Sequence, residues 1–327
     1  MKENSISYFN NIIMPLIHQK HPDVFNEMSF VIMGSVGLGI DDELSDMEAA
    51  IYLPDEIWKH NGLLQITLNK CLADTNLWQP NGSIISVYPL SWMLDGQGEK
   101  LLDANTGVPW QEMSIDSMFG LFVLHNQPVW HDPQDRLGKL IRKTTPEKMP
   151  EIFWKKALLT KLDNFVRDGM QEIKKCVERK NFLDAYVPFG DAVKALQEIG
   201  FILCRKYYPF RKHLSWAFSR LPLPIVEYKL YFDQLSAAAS WQERLDLMET
   251  IYNAYKDYII ANLILPELDF NRVDLNEMPL QENEFDNCKN ILDNPNWLSE
   301  LAAKKENAVK LGYEPGDYWV VDWWGIE

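Results

Sequence analysis

Phe30-Val-Ile-Met-Gly-Ser-Val-Gly-Leu-Gly-Ile-Asp-Asp-Glu-Leu-Ser-Asp-Met-Glu-Ala-Ala-Ile-Tyr-Leu53 decides how the rest of the chain is read. The apolar run Phe30 to Met33 stops at Gly34-Ser35, a glycine-bearing polar turn follows, and a second apolar run opens with Asp46-Met47-Glu48. This pattern predicts two strands joined by a loop suited to phosphate. Residues two apart on a strand share a face, so Asp46 and Glu48 are expected to project their carboxylates together while Met47 turns into the core. Two carboxylates plus phosphate oxygens are a usual way to hold magnesium, which makes Asp46 and Glu48 the candidate metal ligands. Gly34 lets a backbone approach a ligand closely, and Ser35 with its neighbouring amides offers donors to phosphate oxygens, the more so if a helix begins there.

Gly34-Ser35, followed twelve positions after Gly34 by Asp46-Met47-Glu48, resembles the signature of the nucleotidyltransferase superfamily typified by DNA polymerase β and the antibiotic adenylyltransferases. With Gly39 and the Ser45-Asp46 pair, the form is most similar to the streptomycin-type adenylyltransferases and to an uncharacterised bacterial group related to them. The resemblance implies an α+β chain, with a small nucleotidyltransferase α/β domain built on a mixed sheet and an α-helical bundle that closes the site. It implies catalysis by Asp46 and Glu48 with Mg2+, and a nucleotide contacted by Gly34, Ser35 and Ser45. The substrates would be ATP or another nucleoside triphosphate and a small acceptor bearing a hydroxyl. An ordinary hairpin with a solvated mouth is the alternative reading, and it leaves the spacing of the two halves unexplained. No Gly-Lys-Ser/Thr of a P-loop occurs here, the glycines at 34, 37 and 39 do not make a Gly-x-Gly-x-x-Gly, and the acidic run 41–48 lacks the glycine of an EF-hand.

A chain of 327 residues suits two domains, and 46 % hydrophobic residues with 12 % aromatic suffice to bury substantial cores. The net charge of −15 disfavours nucleic acid and suits a cationic or neutral small acceptor, though it also serves solubility alone. Cys71, Cys176, Cys204 and Cys288 are too scattered for a zinc site or a disulfide framework. Met1 to Pro22 is too polar for a signal peptide, and no stretch has the apolar length of a membrane span, so a cytoplasmic protein is expected.

Along the chain, residues 5–21 read as one helix with a kink at Pro15. Pro54 to about Ala73 reads as a second helix, its buried side drawn from Ile57, Leu64, Ile66 and Leu68. Gly82 to Tyr88 reads as a third strand. Related enzymes carry a further acidic residue on this strand, and Ser86, or Ile84 or Ile85 in another register, stands there instead. Asp95 or Glu99 would have to substitute, or the enzyme works with two carboxylates, or the chemistry is lost. Met118 to Leu124 fits helix or strand. Pro128 to Leu137 resembles the edge strand and Asp-Pro turn that finish such domains, with Asp132 a turn residue and His131 a packed one.

From Pro150 helical periodicity takes over, over 152–180, 185–207, 214–219, 226–235, 241–263 and 284–311. The domain boundary is set near residue 145, giving domains 1–145 and 146–327. Within the helical part, Arg205-Lys-Tyr-Tyr-Pro-Phe-Arg-Lys-His213 is a basic, aromatic patch in an acidic chain. Its functional reading gives Arg211 and Lys212 to the triphosphate; its structural reading is a solvated helix end. The aromatic tail Tyr318 to Glu327 is expected to pack on the body. Two other functions stay open: a nucleotide-binding protein of this fold without the reaction, and an enzyme that modifies tRNA or a protein.

Overall fold

The computed structural model describes residues 7, 9–61, 63–74, 83–93, 102, 113–115, 117–222, 227–276 and 284–310. The chain divides into two compact units, one of Met1–Pro150 with Tyr207–Phe210, the other of Glu151–Lys206 with Arg211–Glu327. Its class is α+β, a mixed sheet followed by helices, as the sequence predicts.

In the first unit a π-helical turn, Phe9–Ile13, leads into α1, Met14–Lys20. Pro15 is the second residue of α1, directly after the π-helical turn, so it lies inside the helical run made by Phe9–Ile13 and Met14–Lys20. Strands β1 (Ser29–Met33) and β2 (Met47–Leu53) are antiparallel, and the short helix α2 (Gly34–Leu38) lies between them in sequence. β3 (Ser83–Pro89) lies parallel to β2 and β4 (Val129–His131) antiparallel to β1, giving the order β3-β2-β1-β4.

One face of the sheet carries Phe30, Ile32, Met47, Ala49, Ile51, Leu53, Ile85 and Val87 into a core shared with Phe9, Ile13, Ile17, Leu64 and Leu68. Alternation therefore puts Met47 inward, as predicted, and Glu48 on the opposite face. Val31 and Ala50 on that opposite face are also buried, which is why these strands read as continuous apolar runs.

The expected single helix 54–73 is two, α3 (Asp55–His60) and α4 (Leu64–Asp74). Asn61 ends the first: its backbone N–H returns to Trp58 O and its side chain donates to Ile57 O. Leu64 and Leu68, one turn apart, are buried, whereas Ile66 lies around the helix from them and is 65 % exposed, contrary to expectation. α4 also closes a sheet edge. Asn69 pairs with both Ile85 N and Ile85 O, and Gln65 accepts from Val87 N, so side chains replace the missing neighbour of β3.

Met118 to Leu124 resolves to helix, within α5 (Ser117–Asn126). After β4, Asp132 accepts from Ser29 Oγ at 2.7 Å, Arg136 N at 3.0 Å and Gly138 N at 3.1 Å, tying the turn to α6, Arg136–Lys143. His131 donates from Nε2 to Phe25 O and packs on the Phe25 ring. Both residues serve the structure here.

The second unit is helical in the described residues. Glu151–Glu178 is one rod, α7 (Glu151–Asp163) and α8 (Glu172–Glu178) joined through a π-helical stretch, Asn164–Gln171. α9 (Phe182–Leu203) ends at Arg205, which takes the left-handed conformation at φ 52, so Tyr207 lies beyond the helix and not within it as expected. α10 (Leu214–Phe218), α11 (Glu227–Ala237) and α12 (Trp241–Ala261) lie close to their expected spans. The expected helix 284–311 is again two, α13 (Glu284–Asp293) and α14 (Trp297–Lys310), with Pro295 in the break. α7 and α9 are joined by a Lys161–Glu198 ion pair at 2.9 Å, its side chains 7 % and 4 % exposed. Among the described residues no helix is long and apolar enough to cross a membrane.

Candidate functional site

Met33, the last residue of β1, is extended, and Gly34 swings the chain into α2 at φ 65, a conformation that favours glycine. The register opposes Met33 to Glu48, so the two halves of the sequence motif meet across adjacent strands. The contact is intimate: a Cβ on Gly34 would stand 2.5 Å from Glu48 Oε2 and 3.2 Å from its Cδ. Glu48 thus holds its carboxylate over the Gly34 backbone at the point where α2 starts. Met33, at the N-cap of α2, makes no side-chain cap bond, and the first amides of a helix have no acceptor within it, which places donors beside Ser35. α2 is stopped by Gly39, left-handed at φ 70, with Gly39 N donating to Val36 O and Ile40 N to Ser35 O.

The loop back to β2 is held by one residue pair. Ser45 Oγ accepts from Asp42 N at 3.0 Å and donates to Asp42 Oδ1 at 2.9 Å, and Leu44 N donates to the same carboxylate. The Ser45 hydroxyl, then the Leu44 amide, hold the Asp42 carboxyl below its ordinary value. Ser45 is therefore engaged in shaping the loop that delivers Asp46. Asp46 and Glu48 flank the buried Met47 and are both half-buried. Five carboxylates lie between Asp41 and Glu48, and no basic residue occurs from Phe30 to Leu53.

On β3 the backbone position level with Glu48 is Ile84, and Ser86 is level with Ala50. Neither can accept a proton at neutral pH. Asp95 and Glu99 lie outside the described residues, as does the aromatic tail. Among the described residues no group of three or more His, Cys, Asp or Glu side chains could hold a metal ion.

Arg211 and Lys212 belong to the second unit, exposed on a 3-10 turn, Arg211–His213. Of their neighbours in the basic patch, Arg205 pairs with Glu151 at 2.5 Å and lies over the Trp154 ring. Tyr207 and Tyr208 are buried in the first unit, Tyr207 donating to Thr144 O at 2.6 Å. The patch is thus two cations on a turn, one paired arginine and an aromatic strap.

Residues 110–216 match the family described as Domain of unknown function (DUF4037), a span that begins after β3 and leaves out Gly34 and Glu48. No curated protein matches the chain. Among solved structures, a nucleotidyltransferase-like protein from Exiguobacterium sibiricum 255-15 is similar at 11 % identity and a TM-score of 0.40, over 90 % of this chain and 92 % of that one.

Proposed function

We propose that this chain is a nucleotidyltransferase that moves a nucleoside monophosphate from a nucleoside triphosphate, ATP foremost, to a hydroxyl of a small, cationic or neutral acceptor. The observation that carries the reading is the contact between Gly34 and Glu48, which joins the phosphate turn to the carboxylate pair. In this reading the amides beside Ser35 donate to phosphate oxygens, and Gly34, having no side chain, lets the Glu48 carboxylate stand against that turn. Asp46 and Glu48 supply two oxygen ligands to Mg2+, whose remaining positions suit phosphate oxygens and water; two hard carboxylates fit this ion. Bound there, the ion would neutralise phosphate charge as the acceptor oxygen bonds to the α-phosphorus and pyrophosphate leaves. The chain's own share is to orient the triphosphate against the carboxylates, and orientation accounts for much of such a rate.

The test is Asp46→Ala, studied by calorimetry with ATP and Mg2+ and by pyrophosphate release. Asp46 sits at a strand mouth, so its removal should leave the fold intact while magnesium-dependent binding falls at least ten-fold. Metal-dependent binding equal to that of the unaltered chain would overturn the assignment. A second reading, a nucleotide-binding protein without the reaction, is favoured by the absence of a carboxylate on β3 at Ile84 and Ser86. It predicts ATP binding with no pyrophosphate released in the presence of any acceptor.

A further inference from the structure

Gln127 joins α5 to β4 and is 8 % exposed. Its neighbourhood holds an imbalance of hydrogen-bonding groups. Ile32 N donates to Pro128 O across the β1–β4 edge at 3.2 Å. In an antiparallel pair of this kind the facing residue returns the bond, its own N–H donating to the first residue's carbonyl. Pro128 has no N–H, so the ladder cannot supply a donor to Ile32 O. The Gln127 carboxamide lies where that donor is wanted. A Cβ placed on Gly37 would stand 1.8 Å from Gln127 Oε1 and 2.3 Å from Ile32 O, so both oxygens crowd one point beneath α2. With oxygen inward, the buried Oε1 has no hydrogen-bond partner. Turning the carboxamide over keeps its shape and puts a donor, Nε2, in place of the oxygen that now stands beside Ile32 O.

We infer that Gln127 is a positioning residue for the phosphate turn: its amide donates to Ile32 O in place of the N–H that Pro128 lacks, and its bulk seats α2 through Gly37. Ile32 is two residues before Gly34, and Gly37 is one turn after it on the same side of α2. Glu48 fills the Cβ space of Gly34 and Gln127 that of Gly37, so the glycine face of α2 is held at both ends. The space at Gly37 is closed on one side by the Ile32 backbone, so a side chain there has no room. The nucleotide readout below rests on the function proposed above; the exchange readout does not.

The test compares Gln127→Met, Pro128→Ala and the two combined. Methionine keeps the volume of glutamine and removes the donor; alanine at 128 restores a backbone N–H opposite Ile32. Hydrogen exchange at the amides of 35–40, measured on the full chain without nucleotide, should accelerate roughly ten-fold in Gln127→Met, the effect of one buried hydrogen bond. It should return to within about three-fold of the unaltered chain in the double variant, because the ladder then supplies the missing donor. MgATP affinity by calorimetry should follow the same order, down about ten-fold and then recovered. Unchanged exchange in Gln127→Met, or loss that Pro128→Ala does not recover, would overturn the inference, since a purely space-filling side chain has no reason to be rescued by a backbone N–H at the next residue. Exchange that behaves as expected in a chain that binds no MgATP would leave the positioning role standing and remove the proposed function instead.

Discussion

At Gly34 two demands fall on one atom: the backbone is left-handed and the space for a side chain belongs to Glu48. Alanine there should cost about 1 to 2 kcal/mol from the conformation alone, with a further cost from the carboxylate it meets. A double-mutant cycle in urea separates the two, because adding Glu48→Ala relieves the contact but not the conformation. A urea midpoint for Gly34→Ala equal to that of the unaltered chain would contradict the geometry. The sequence reads Gly34 as an opening for a ligand, and in the structure the nearest atoms are the chain's own carboxylate. That contact depends on the register opposing Met33 to Glu48, which no local pattern specifies. Ser45 differs: the resemblance gives it to the nucleotide, and in the structure its hydroxyl holds Asp42, for which the Asp42-x-x-Ser45 spacing was an unread signal.

Element existence was legible where an apolar run is bounded by polar turn residues, as in β1 and β2, or where apolar periodicity is strong, as in α12, because burial is what those patterns record. Breaks were less so. The helix interruptions at 61–63 and 294–296 are three-residue breaks within continuing apolar periodicity, and the turn chemistry prevails over it locally. What sequence could not offer is the partner of a buried charge. Lys161 and Glu198 lie on different helices, and nothing near either names the other. Lys194 adds a second cation 3.7 Å from Glu198, so this one carboxylate faces two ammonium groups on a helix–helix contact. Removing it with Glu198→Ala should cost about 3 to 5 kcal/mol, since Lys161 would remain buried beside the gap. Replacing the pair with Lys161→Met and Glu198→Met should cost far less, for apolar groups of similar volume often substitute for a buried ion pair without loss. Chemical denaturation of the three chains checks the order, and equal losses in both variants would mean the pair is net stabilising in its own right.

The whole molecule carries −15, and its candidate site stands in an acidic segment, so two effects of magnesium have to be told apart. Exposed like charges repel in the compact state, and salt screens them over about 10 Å at 0.1 M, so sodium chloride alone should raise the melting temperature. Magnesium chloride at matched ionic strength should add little to this without nucleotide, because the site proposed supplies only two carboxylates and leaves the other positions to water. With ATP present the phosphate oxygens complete the set. Mg2+ and ATP together should then stabilise the native chain by about 2.7 kcal/mol at a hundred times the dissociation constant. Asp46→Ala should keep the full response to sodium chloride and lose the joint response to Mg2+ and ATP. Thermal melts of both chains in the four conditions decide it: a joint response that survives in Asp46→Ala would put the nucleotide elsewhere, and one absent from both chains would mean that Gly34-Ser35 and Asp46-Met47-Glu48 form a close-packed hairpin mouth and nothing more.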